Sequence, residues 1–302
     1  MFRLPAILPP LARLLPGATG ASGRHKMRDE SCRIGGRTYG YGVVEGDGPT
    51  VVLVHGWGLG HHSYRAAAEE LSLQGYRVIV PDLPGFGATS DLPIHRLSLS
   101  TYAAAMLLFL ESSDDVAGEP VHLVGHSFGG AVAAQLAHDA PELVSSVVLV
   151  SSVSGATWQR EEGIERLLAE RPIWDWGMNL VQNFPVGHVP VASLRVLRDL
   201  SHNLVWHLPA MGMVAHIIRH SDLRDELKKV HERGVPVSVV WAARDRVITR
   251  ACFDDQCTAL SCEGTVVEGN HGWPLADPKS FGRTVGTIIG EVAASKVGAA
   301  SS

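Results

Sequence analysis

A chain of 302 residues, 45% hydrophobic and 19% charged, has the composition of a folded globular protein and the length of one large α/β domain, with or without an insertion. A formal charge of -5 and a pI near 6.3 leave no basic excess, so a nucleic acid partner is excluded as an expectation. The four cysteines, Cys32, Cys252, Cys257 and Cys262, match no zinc spacing and read as free thiols, a disulfide among the last three being the alternative.

The chain opens on "MFRLPAILPPLARLLPGATGASGR", where Pro5, Pro9, Pro10, Arg13 and Pro16 interrupt any apolar run that a secretory signal would need. Residues 1–25 therefore read as a flexible extension, with membrane-surface contact as the minor alternative. Elsewhere the longest apolar run, "YAAAMLLFL" from Tyr102, falls far short of the ~20 residues that span a bilayer. No transmembrane segment is expected, and a soluble, cytoplasmic protein is.

"TVVLVHG" (50–56) and "YRVIVPD" (76–82) read as short, β-branched strands closed by Gly, Pro or Asp, and "VHLVGHS" (121–127), "SVVLVSS" (146–152) and "PVSVVWAARD" (236–245) read alike. Helical stretches lie between them at 63–75, 100–113 and 129–141. Strands apolar throughout, alternating with helices, indicate a mostly parallel sheet covered on both faces, an α/β architecture. The alternation stops after Ser154 and resumes near Val235. The interval 156–234 has helical spacing, as in Ile164, Leu167 and Leu168 or Met211, Val214 and Ile218, and carries Trp158, Trp174, Trp176 and Trp206. It reads as a helical insertion between two core segments, 26–155 and 235–302. A last helix places Phe281, Val285, Ile288, Ile289 and Val292 on one face, before a tail expected to fray.

Within "VHLVGHSFGGAVAA", the run Gly125, His126, Ser127, Phe128, Gly129 joins a buried strand to a helix. Gly-x-Ser-x-Gly in that setting is a nucleophile elbow, a sharp turn that exposes the serine hydroxyl beside a helix N-terminus. A hydroxyl needs a base to take its proton, and a histidine held by a carboxylate supplies one near neutral pH. Asp245 follows one strand and His271 follows the next, and loops at strand carboxyl ends converge in open α/β sheets. Ser127, Asp245 and His271 are the candidate catalytic residues. Read alone, each has a plainer role: a satisfied turn serine, a helix cap, one of 15 histidines. His55 and His126 read as structural hydrogen-bonders nearby, and Asp82 as the group that orders the "LPGFG" loop. The pairs His61 and His62, His202 and His207, and His216 and His220 lack carboxylate or cysteine partners at fixed spacing, so no metal site is expected.

"HGWG" (55–58), "DLPGFG" (82–87), "GHSFGG" (125–130) and the Asp245 and His271 segments, in this order, resemble the α/β-hydrolase superfamily, over residues 35–155 and 235–295. Two positions depart from its common pattern: Ala242 stands where many members have Gly, and Asn270 precedes His271. The resemblance implies an α/β-hydrolase fold with residues 156–234 as a cap, and an oxyanion hole at the backbone N–H groups of Trp57 and Phe128. It also implies a serine hydrolase cleaving a carboxylic ester through an acyl-enzyme, with no cofactor. Trp57, Phe128, Trp158, Trp174 and Trp176 are the candidate substrate-binding residues, and the expected partner is a small, apolar ester. Alternatives on the same fold are hydrolysis of a carbon–carbon bond in a vinylogous diketone, perhydrolysis, acyl transfer to another acceptor, and a ligand receptor without turnover.

Overall fold

The five apolar strand segments fall into one sheet because each can be buried on both faces, and the segment before His271 adds a short exposed strand at its edge. A computed structural model describes residues 25–116, 118–154 and 190–300. Its sheet has eight strands: β1 (Arg28–Ile34), β2 (Arg37–Val44), β3 (Thr50–Val54), β4 (Arg77–Pro81), β5 (Val121–His126), β6 (Val144–Val150), β7 (Val237–Ala242) and β8 (Thr265–Val267). Their order is β1-β2-β4-β3-β5-β6-β7-β8. β1 and β2 form an antiparallel hairpin that pairs antiparallel to β4, and every other pair is parallel.

Successive residues of each central strand enter opposite layers. Val52, Val54, Leu123, Val147 and Leu149 face one layer, while Val51, Leu53, Val124, Val148 and Val150 face the other. That two-sided burial explains why these strands read as unbroken apolar runs. The first layer holds α2 (Leu99–Ser112) and α3 (Phe128–Asp139). The second holds α1 (His61–Leu73), with Tyr64, Ala67, Ala68 and Leu71 turned inward. The C-terminal helix, Pro278–Ala300, packs there too through Phe281, Val285 and Ile289 and continues through the stretch expected to fray.

Between β6 and β7 the described residues form three helices and no strand: α4 (Pro190–Trp206), α5 (Leu208–His220) and α6 (Arg224–Glu232). Met211, Val214 and Ile218 are buried, in keeping with their spacing, and α6 sinks Leu227 and Val230 into the first layer. Ile164, Leu167, Leu168 and residues 1–24 lie outside the described residues. Two further helices, α7 (Arg250–Ala259) and the short α8 (Trp273–Ala276), follow β7, so the C-terminal helix is α9. The four cysteines are free thiols. Among the described residues no helix is long and apolar enough to cross a membrane.

Candidate active site

The strand order reverses between β3 and β5: the chain passes from β3 outward to β4, then returns to the other side of β3. A crevice opens at the carboxyl ends of the strands at such a switch point. Two loops meet there, residues 55–60 after β3 and the turn between β5 and α3. Ser127 occupies that turn with φ 55° and ψ -120°, a conformation that costs a non-glycine residue roughly 1–3 kcal/mol. Its backbone is bonded at both ends, Ser127 N–H donating to Val150 O at 3.0 Å and Ser127 O accepting from Gly130 N–H at 3.0 Å. Glycine is required on either side. A Cβ at Gly125 would lie 2.5 Å from the Gly130 Cα, and one at Gly129 would overlap the Val54 carbonyl oxygen. The helix can therefore start directly over the strand that precedes it.

His271 Nε2 lies 3.1 Å from Ser127 Oγ, and His271 Nδ1 lies 2.9 Å from Asp245 Oδ2. All three side chains are buried. Asp245 Oδ1 accepts the backbone N–H groups of Val247 and Ile248, each at 2.8 Å. Burial would raise the Asp245 pKa, but His271 and the Ile248 N–H outweigh it and hold the carboxyl below its ordinary range. An ionised carboxylate only accepts, so the His271 proton sits on Nδ1 and the lone pair of Nε2 faces the serine hydroxyl.

The sequence matches the family model for the alpha/beta hydrolase fold over residues 49–177. It is 36% identical to a pimeloyl-[acyl-carrier protein] methyl ester esterase of Aeromonas salmonicida, across 81% of this chain and 97% of that one. It is 30% identical to an uncharacterized protein of Mycobacterium tuberculosis, across 78% and 73%. A solved structure of a putative lipase from Acinetobacter baumannii superposes with a TM-score of 0.71 at 20% identity, across 90% and 93%.

The chain belongs to the alpha/beta hydrolase fold family. It is a hydrolase.

A Cβ built on Gly56 would lie 3.3 Å from Ser127 Cβ, so the turn that carries the Trp57 amide runs directly beside the serine. Among the described residues the Trp57 and Phe128 amides have no backbone acceptor of their own. The Phe128 ring is fully buried, edge-on to Tyr102 at 5.3 Å. The half-buried Trp57 ring donates its indole N–H to Met211 O at 2.9 Å, which ties the loop to α5. Trp158, Trp174 and Trp176 lie outside the described residues, and Trp206 is exposed at the end of α4.

This hydrolase also holds its site by contacts that spacing does not announce. Gly56 N–H donates to Tyr64 Oη at 3.1 Å, and Tyr64 Oη lies 2.5 Å from His126 Nδ1. His126 Nε2 lies 2.8 Å from His271 O. The His271 carbonyl can only accept, so His126 carries its proton on Nε2 and receives the tyrosine hydroxyl at Nδ1. Burial, with His271 adding to it, pushes the His126 pKa down to about 3, so this ring is neutral. One chain of bonds thus joins the Gly56 turn to the backbone of His271. His55 accepts Leu83 N–H at Nε2 and bonds Gly56 O through Nδ1. Asp82 accepts Ala88 N–H and orders the "LPGFG" loop.

From α4, Asp199 accepts both the backbone N–H and the hydroxyl of Ser63. Asn203, one turn later, donates to Gly58 O at 2.9 Å and Leu59 O at 3.2 Å and accepts Gly87 N–H at 3.0 Å. Both positions of departure fit their surroundings. Ala242 is buried against the second layer, and Asn270 Oδ1 accepts Gly272 N–H at 3.0 Å to brace the turn bearing His271.

Proposed function

We propose that this hydrolase is a serine esterase that cleaves a carboxylic ester of a small, apolar molecule, with Ser127 as nucleophile, His271 as base and Asp245 as its orienting partner. The observation that carries the reading is the bonded series Asp245, His271, Ser127 at the switch point of the sheet. Ser127 Oγ attacks the ester carbonyl carbon while its proton passes to His271 Nε2. The imidazolium formed is stabilised by Asp245. The carbonyl oxygen, now an oxyanion, takes hydrogen bonds from the Trp57 and Phe128 amides, each such donor contributing about 3 kcal/mol to the barrier reduction. Collapse breaks the bond to the alkoxy group, which leaves as an alcohol with the proton from His271. Water then gives a proton to His271 and attacks the acyl-enzyme, and the carboxylic acid departs as the proton returns to Ser127.

Residues 26–155 and 235–302 act as the core and 156–234 as a cap. The contacts of α4 and α5 with the 57–60 loop support that division. Trp57, held at Met211 O, forms one wall of the acyl pocket, and the roles of Trp158, Trp174 and Trp176 in that pocket rest on the sequence alone.

A fluorophosphonate probe read by intact-protein mass tests the mechanism. One adduct is expected on the wild type and none on Ser127→Ala or His271→Ala, with p-nitrophenyl ester hydrolysis falling at least about 10³-fold in both variants. A folded wild type that takes no adduct, or an adduct retained by Ser127→Ala, overturns the assignment.

A further inference from the structure

α1 opens on two consecutive histidines, and β1, at the edge of the sheet, brings an aspartate over them. His61 Nε2 lies 3.5 Å from Asp29 Oδ1 and His62 Nε2 lies 3.5 Å from Asp29 Oδ2. One ligand atom from each of the three residues falls within 4.8 Å of the others. Metal bonds of about 2.0–2.1 Å at tetrahedral angles set neighbouring ligand atoms about 3.4 Å apart, so these separations suit a cation held between the side chains.

His61 adds a second, independent observation. The residue is only 2% exposed, and its Nε2 is buried without a hydrogen-bond partner. Its other nitrogen is committed: Nδ1 lies 2.9 Å from Asp82 Oδ2, and Asp82 is fully buried. Nδ1 is committed to that carboxylate, so Nε2, facing Asp29, is the nitrogen left to give its lone pair to a cation. A carboxylate behind one imidazole nitrogen and an open lone pair on the other is the arrangement that orients metal-binding histidines. His62 is backed more loosely, its Nδ1 lying 3.9 Å from Asp199 Oδ1.

We propose that Asp29, His61 and His62 bind a divalent transition-metal cation of the zinc type, which ties the edge strand β1 to the start of α1. Two imidazoles and a carboxylate suit Zn²⁺, Co²⁺ or Ni²⁺ better than the oxygen-seeking Mg²⁺ or Ca²⁺. The site is separate from Ser127, His271 and Asp245. Spacing hid it because its carboxylate comes from a strand, β1, far from the histidines of α1 in the sequence. Arg65 holds Asp29 Oδ1 at 2.5 Å, so this guanidinium neutralises the carboxylate without metal and opposes a cation by like charge.

The test uses the full chain, treated with chelator and titrated with Zn²⁺ by calorimetry, with Co²⁺ absorption as a second probe. The expected result is one tight equivalent with a four-coordinate Co²⁺ spectrum. Asp29→Asn and His62→Gln, both at sites with solvent access, weaken binding at least tenfold while circular dichroism is unchanged. Arg65→Gln tightens it several-fold, and Ser127→Ala binds like the wild type. Failure of the wild type to take one tight equivalent overturns the proposal. So does an affinity that Asp29→Asn and His62→Gln leave within twofold, because the cation then rests on other histidines or on the cysteines.

Discussion

Ser127 and Asp245 are each held in a state that would be costly alone. The serine keeps a positive φ because its N–H and C=O are tied to Val150 and Gly130. The carboxylate stays ionised while buried because one oxygen faces His271 and the other takes two backbone N–H groups. Replacing Asp245 with Asn isolates its charge at nearly constant shape. If the amide oxygen stays on Val247 and Ile248, the amide N–H₂ faces His271 Nδ1, moves the imidazole proton to Nε2 and removes the base that Ser127 needs. Asp245→Asn is expected to lower kcat on p-nitrophenyl acetate by about 10³–10⁴-fold. A loss under tenfold in a folded variant would remove Asp245 from the orienting role.

At the scale of elements, β5, the elbow and α3 work as a unit because strand and helix touch almost atom on atom at Gly125, Gly129 and Gly130. The central strands and the elbow were legible in the sequence for that reason: two-sided burial leaves unbroken β-branched runs, and close approach leaves small residues at fixed offsets. The hairpin of β1 and β2 was not read, although Gly35 and Gly36, both at positive φ, mark its turn, because β1 is largely exposed and carries no apolar run. Asp199, Asn203 and Tyr64 were equally hidden, since bonds between distant polar residues leave no periodic trace. Asn203 offers a test of how α4 secures the 57–60 loop, the proposed oxyanion-side loop. Its removal leaves two carbonyls and the Gly87 N–H without their partner, each such loss costing about 1–3 kcal/mol when buried. Asn203→Ala is expected to lower the melting temperature by several degrees and to reduce kcat more than it changes KM, because the displaced loop carries the Trp57 amide. An unchanged kcat would show that α4 does not position that loop.

For the molecule as a whole, burying neutral histidines between the layers couples the fold to pH. His126 has its pKa lowered to about 3 by burial and by His271, and His55 is lowered by burial. In the unfolded chain a histidine takes up a proton near pH 6.5. Between 6.5 and 3 the unfolded state therefore binds a proton at residue 126 that the folded state refuses, and stability falls as pH falls. The slope is about 1.4 kcal/mol per pH unit for one such group, or about 2–3 kcal/mol between pH 7 and pH 4.5. His126→Gln keeps a side chain able to hydrogen-bond but does not titrate. Urea unfolding of both proteins across that range is expected to show the variant less stable at pH 7 and the gap closing by that amount at pH 4.5. Parallel curves would mean that His126 takes up its proton in the fold near pH 6.5, as it does in the unfolded chain. Its Nδ1 would then be a donor, and the tyrosine hydroxyl would have to accept from both Gly56 and the ring, reversing the direction of the bond that links the Gly56 turn to His271.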